Sequence, residues 1–186
     1  MIGFAITGSF CTIAKAIEIM KKMVSKGYEI LPIMSQNAYH TDTRFGYAKD
    51  IKKEVFEITG REIVHTIVDA EPLGPKIKLD AMIIAPCTGN TLAKLANGIT
   101  DTSVCMAAKA HLRNNNPLVL ALATNDALSA NLKNIATLLS RKNVYFTPMI
   151  QDDPMSKPHS LVADFDLLEK TLEEALKGKQ IHKIFI

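Results

Sequence analysis

Apolar residues gather in short runs at 2–7, 28–34, 81–85, 118–123 and 144–146. Glycine, proline or polar clusters bound most of these runs, and run and boundary together predict buried strands. The segments between them follow a helical period. In residues 12–26, Ile13, Ile17, Met20 and Val24 recur at that spacing, and Gly27 is placed as a stop. Residues 47–58 carry alternating charge on one face and Gly60 after it. Further helices are predicted at 91–96, 102–113, 127–141 and 164–176, with Gly98 ending the first of them. Residues 63–68 suggest a short strand. Residues 35–45, 71–75, 114–117 and 151–160 read as connections, and 180–186 as an apolar tail.

Strands that are apolar throughout and alternate with helices imply an α/β fold, a three-layer open parallel sheet with helices on both faces. With 186 residues there is enough chain for a core of that kind, and no repeat, low-complexity tract or linker divides it, so residues 1–186 are expected to form one domain. The net charge of +3 is nowhere concentrated, which argues against a nucleic-acid surface or an anionic-membrane surface. No run is long enough to span a bilayer, and the start lacks a basic leader. Cys11, Cys87 and Cys105 form neither a CxxC nor a zinc spacing. They are expected to be small packing residues in a reducing cytoplasm. The five histidines show no metal spacing, so no metal is expected. His40 and His159 fall in polar loops where a ligand can be met; His65, His111 and His182 read as surface or incidental.

In such sheets ligands bind beyond the carboxyl ends of the strands. The first of these loops is Thr7-Gly8-Ser9-Phe10-Cys11-Thr12. Its glycine permits a tight turn, and the helix after it presents free N–H groups suited to a phosphate. A plain strand-to-helix turn with a Ser or Thr cap explains the loop equally well. It is no G-x-G-x-x-G fingerprint, and Met34-Ser35-Gln36 supplies no acid to close the second strand, which counts against a standard NAD site. Pro86-Cys87-Thr88-Gly89-Asn90-Thr91 follows the third strand and again suits an anion. A helix capped by Thr88 is the plainer account, but alone it leaves Pro86, Gly89, Asn90 and Thr91 together unexplained. Asn125, after the fourth strand, can donate and accept toward a substrate carboxylate or can cap the next helix.

Residues 86–101 resemble the P-A-S-A-N-T-I-A-K-x-A-x-G-I-x-D stretch of the flavin-containing cysteine decarboxylase superfamily. Asn90, Thr91, Ala93, Lys94, Ala96, Gly98, Ile99 and Asp101 match it. Thr7-Gly8-Ser9 resembles that group's opening. The resemblance implies a Rossmann-like flavoprotein fold and FMN as cofactor. Gly8, Ser9, Phe10 and Ser35 would lie at its phosphate, Thr88, Gly89, Asn90 and Thr91 around the phosphate and ribityl chain, and Pro86 and Cys87 beside the ring. It also implies a homo-oligomer, a trimer or a multiple of one, with the flavin near an interface between copies.

Two departures bear on activity. Lys76-Ile77-Lys78-Leu79 stands where cysteine decarboxylases have H-I-x-L, and Leu122-Ala123-Thr124-Asn125 keeps only the asparagine of P-x-M-N. Residues 146–163 instead resemble V-P-F-x-Q-D-x-P-x-x-K-P-x-S-L-V-A of the B-subunit family of dipicolinate synthases. That resemblance implies a partner, the dipicolinate synthase A subunit, which is NADP-dependent, and oxidation of a dihydrodipicolinate precursor in the mother cell of a spore former. Lys157 and His159, with Asn125, are then candidates for a small dicarboxylate substrate, although an exposed loop accounts for the first two as well. No catalytic residue is assigned. A stand-alone FMN-dependent decarboxylase or prenyltransferase, and a partner-tethering module without flavin, are the other readings.

Overall fold

The computed structural model describes residues 1–186. Its strands are β1 (Ile2–Ile6), β2 (Ile30–Met34), β3 (Ala81–Cys87), β4 (Leu118–Thr124), β5 (Val144–Phe146), β6 (Met149–Ile150) and β7 (Leu161–Ala163). Its helices are α1 (Phe10–Ser25), α2 (Gln36–His40), α3 (Ala48–Thr59), α4 (Ile67–Ala70), α5 (Gly89–Ala96), α6 (Ser103–Leu112), α7 (Leu132–Leu139) and α8 (Leu168–Leu176). The five expected strands run parallel in the order β2-β1-β3-β4-β5. Parallel neighbours need crossovers, and the helices supply them.

Alternation along each strand divides the core. Phe4, Ile6 and Ile83 face α1, α3 and α8 in a cluster of 24 buried residues, while Ala5, Met82 and Ile84 face α5, α6 and α7 in one of 23. The two clusters are nearly equal, so both faces of the sheet are covered, as a three-layer fold requires. Full enclosure of a side chain such as Phe4 contributes about 1.5–3 kcal/mol.

The sheet is mixed rather than wholly parallel. β5 pairs only with Leu118–Leu120 of β4, so the far half of β4 would present an open edge. Antiparallel β7 closes it at Ala123 and Thr124, and β6 pairs with β7 in turn. The apolar tail lies beside β6, where Ile186 N donates to Met149 O at 3.1 Å. The Gln180 side chain pairs with both Phe146 N and Phe146 O, at 2.8 and 2.7 Å, on the free side of β5.

Local chemistry moves several boundaries. The polar connection after β2 contains α2, a helix too short to show a period, and Ser35 Oγ caps it by accepting from Ala38 N at 3.3 Å. Residues 63–68 form a single bridge between Val64 and Ile33, followed by α4, which Thr66 caps. β3 continues through Pro86, whose bond to Ala85 is cis, as far as Cys87. The helix expected from residue 127 begins only at Leu132, because Asp126 O accepts from Ser129 N and Asn131 N and holds the chain in turns.

Candidate functional site

The winding of the sheet reverses between β1 and β3, since β2 lies on one side of β1 and β3 on the other. The carboxyl ends of those two strands therefore open a crevice. Thr7, 1% exposed, stitches its floor. Its Oγ1 donates to Pro86 O at 2.7 Å and accepts from Thr88 N at 3.0 Å, and its own N–H donates to Pro86 O at 3.3 Å. One buried hydroxyl thus fixes the loop entering α1 against the loop entering α5.

Both helices start in this crevice. Before α1, Thr12 Oγ1 donates to Ser9 O at 2.9 Å, while Ser9 itself makes no side-chain cap. Before α5, Thr88 Oγ1 accepts from Thr91 N at 3.2 Å and donates to Thr91 Oγ1 at 3.0 Å. The amides of Phe10, Cys11, Gly89 and Asn90 have no acceptor within the chain. Neither helix carries an acid in its first turn. Two positive helix ends with free donors converge on one space.

Gly89 is required there by close packing. A Cβ on it would meet Asn131 Nδ2 and Thr124 Oγ1 at 2.6 Å and Asp126 Oδ1 at 2.9 Å. Those atoms cannot swing aside freely. Thr124 Oγ1 donates to Asp126 Oδ1 at 2.6 Å, and Asn131 Nδ2 donates to Asp126 Oδ2 at 2.9 Å. The hydrogen bond from Thr124, joined by that from Asn131, outweighs partial burial and holds the Asp126 carboxyl below the usual range.

The crevice widens into a cavity of about 1070 Å³. Gly8, Ser9, Phe10, Thr88, Gly89, Asn90, Asn125 and Lys157 all line it. The other expected residues stand behind or outside it. Ser35 is the cap of α2, Thr91 is the buried partner of Thr88, and Pro86 supplies the carbonyl that Thr7 grips. Cys87 is buried, and burial followed by the neighbouring Cys105 pushes its thiol well above the ordinary range, so no thiolate is available. His159 is exposed outside the cavity, and its carbonyl accepts from Leu128 N at 2.9 Å.

Other placements differ from the sequence reading. Cys11 is exposed on the cavity wall instead of buried, because it falls on the outward face of the first turn of α1. His111 is a core residue and not a surface one; its Nε2 lies 2.9 Å from Pro117 O. His40 sits on α2, and His65 stacks on Tyr39 with ring centroids 3.9 Å apart. Asn125 is exposed and caps no helix. Lys94 and Asp101 of the superfamily-like stretch pair with each other at 2.8 Å, closing the loop after α5. Lys76 is exposed and lies outside the cavity wall.

Sequence reasoning missed Lys15, Arg44, Phe45, Asp152, Asp164 and Asp166, all of which line the cavity. Lys15 had a signal, since it lies four residues after Cys11 and so shares its face of α1. The others come from loops and caps, which carry no period.

Residues 1–169 match the flavoprotein family. The chain is 48% identical over 185 residues to the dipicolinate synthase B subunit of Bacillus subtilis, covering 100% of this chain and 92% of that one. A crystal structure of the dipicolinate synthase B subunit from Bacillus halodurans superposes with a TM-score of 0.92 at 44% identity, covering 100% of this chain and 95% of that one. The FMN-dependent cysteine decarboxylase SpaF shares the fold, with a TM-score of 0.70 at 20% identity over 95% of this chain and 94% of that one. No helix of this chain is long and apolar enough to cross a membrane. The chain belongs to the flavoprotein family and, within it, to the family of dipicolinate synthase B subunits.

Proposed function

We propose that the chain is the FMN-binding component of a dipicolinate synthase, built as one domain over residues 1–186. It works with the NADP-dependent A subunit to convert a dihydrodipicolinate precursor into dipicolinate in the mother-cell cytoplasm of a spore former. The observation that carries this reading is the cradle at the head of β1 and β3, where free amides of α1 and α5 face one cavity and Gly89 lets the start of α5 pack closely on the turn after β4. A phosphate monoester fits that donor set. Ligand pockets commonly measure about 300–1,000 Å³, so a cavity of about 1070 Å³ accommodates a cofactor with a small substrate beside it. One similar structure is an FMN complex of a flavin prenyltransferase, and another relative of the same fold is a dodecamer. We propose a trimer or a multiple of it for this chain.

The flavin, when bound, supplies the capacity to accept two electrons from a dihydropyridine. This chain's residues position and enclose the two molecules. The amides of Phe10, Cys11, Gly89 and Asn90 would take the phosphate with the Ser9 hydroxyl beside it, and Thr88 would hold the start of α5 in place through Thr91. The Asn90 side chain, exposed and on the cavity wall, would serve the ribityl chain. Asn125 and Lys157 face the remaining space and orient the substrate. Thr7, Pro86 and Asp126 keep the loops in register.

FMN titration of the purified protein, followed by flavin absorbance and fluorescence, tests this reading. Saturable binding is expected, and Asn90→Phe is expected to weaken it at least about tenfold without lowering the melting temperature, since Asn90 is exposed. A folded protein that binds no FMN would overturn the reading and leave a partner-tethering module.

A further inference from the structure

The cations of the cavity are not equivalent. Lys157 is already engaged, with its Nζ 3.2 Å from Asp152 Oδ2. Glu18, also on the wall, is engaged by Lys22 at 2.9 Å. Arg44 and Lys15 line the same cavity and have no carboxylate within ion-pair distance. Arg44 lies instead with its Cζ 4.8 Å from the centroid of the Phe45 ring. An arginine stacked in this way keeps the edges of its guanidinium free for a planar, bidentate acceptor. Phe45 is 52% exposed and also lines the cavity. The structure therefore places a flat apolar surface beside a fork of unused donors.

We propose that Arg44, assisted by Lys15, is the carboxylate-binding element of the cavity, and that it selects a planar ring acid by pairing one carboxylate while Phe45 borders the ring. Arg44 and Phe45 come from a different element than the α1 and α5 amides, the loop between α2 and α3, and line the same cavity. This proposal rests on the reading of the cavity as a site for a small dicarboxylate. It moves the principal cation from Lys157, which Asp152 neutralises, to Arg44, which nothing neutralises. The shared chemistry is an oxyanion, and a phosphate of the cofactor is the competing source.

The probe is pyridine-2,6-dicarboxylate, titrated calorimetrically into the full-length protein both with and without FMN. FMN is titrated separately into wild type and variants, so the cofactor reading succeeds or fails on its own measurement. Arg44→Gln is expected to weaken dicarboxylate binding about tenfold or more and to change FMN affinity less than about twofold. Arg44→Lys is expected to recover part of the loss. Lys15→Gln should give a smaller loss of the same kind. Two results would overturn the proposal: dicarboxylate affinity that is unchanged in Arg44→Gln, or a loss of FMN affinity in its place, which would assign Arg44 to the cofactor phosphate. Absence of dicarboxylate binding by wild type in both forms would overturn it too, while leaving the FMN result untouched. Arg44 is exposed, so the variants are expected to fold, and their melting curves check this.

Discussion

Loops 7–12 and 88–91 are joined by one buried side chain, whereas loop 151–160 on the facing wall is held mainly by its own local bonds, with one longer-range bond at its end from Leu128 N to His159 O at 2.9 Å. In the first pair, Thr7 bridges positions 79 and 81 residues away in sequence. In the second, Gln151 Nε2 donates to Pro158 O at 2.7 Å, Ser156 N to Asp153 Oδ1 at 3.0 Å, and Lys157 Nζ to Asp152 at 3.2 Å. Met155 at its tip is 93% exposed. A long-range buried bond resists local opening, because breaking it strands polar groups away from water. Short-range exposed bonds exchange with water at little cost. The cavity thus has a fixed wall, suited to a cofactor that stays, and a compliant wall, suited to a substrate that enters and leaves.

The difference is broken most severely at Thr7. Thr7→Val keeps the shape but removes the hydroxyl that serves Pro86 O and Thr88 N. Thr88 N loses its acceptor and Pro86 O keeps only the longer bond from Thr7 N, and the expected loss of stability is about 1–2 kcal/mol, read as a lower urea midpoint with an unchanged slope. Flavin affinity should fall with it, since the two helix starts are no longer in register. If Thr7→Val matches wild type in both measurements, the wall is fixed by packing and not by this hydroxyl.

The same contrast explains what was legible in the sequence. The fixed wall grows from apolar strands and glycine-bearing turns, so Gly8, Ser9, Phe10, Thr88, Gly89 and Asn90 stood out and do line the cavity. Their backing was harder to read. Ser35, Thr91, Pro86 and Cys87 have the same residue types and spacing as lining residues, and only the register of β3 and the cap geometry turn them away. The compliant side left almost no pattern. Arg44 and Phe45 sit in a polar connection, and Asp164 and Asp166 open a 3-10 turn at Phe165–Leu167, where acids are ordinary caps. The antiparallel β6 and β7 have two and three residues, too few for a period of two to register.

An intermediate effect is expected at Asp126, which fixes the turn after β4 on which Gly89 of α5 packs. Its carboxyl is held below the ordinary range by the hydrogen bond from Thr124 and then that from Asn131. The folded pKa is therefore lower than the unfolded one. The contribution is fully present above the unfolded value, near pH 4, and is lost as pH falls through the folded value. Asp126 is partly exposed, so water screens the interaction and its size is expected to stay below about 1 kcal/mol. Asp126→Asn replaces one acceptor with an amide donor opposite Asn131 Nδ2. Stability at pH 7 should drop, and the difference from wild type should shrink between pH 4 and pH 2 in urea titrations at fixed ionic strength. A difference that stays constant over that range would mean that packing around Gly89, not charge, ties the turn.

The smallest effect is expected on the compliant wall itself. Lys157 and Asp152 form an ion pair whose lysine side chain is about half exposed. Such pairs contribute about 0–1 kcal/mol, and here no buried group loses its partner when the pair is broken. Lys157→Gln should therefore leave the urea midpoint within about 0.5 kcal/mol of wild type. Cleavage within residues 151–160 by a protease under native conditions should become faster, because the pair is one of the few bonds closing that loop. Added salt should bring wild type toward the variant, since an exposed pair is screened. A large loss of global stability in Lys157→Gln would show that loop 151–160 is tied into the core, and the two walls would then differ in position but not in stiffness.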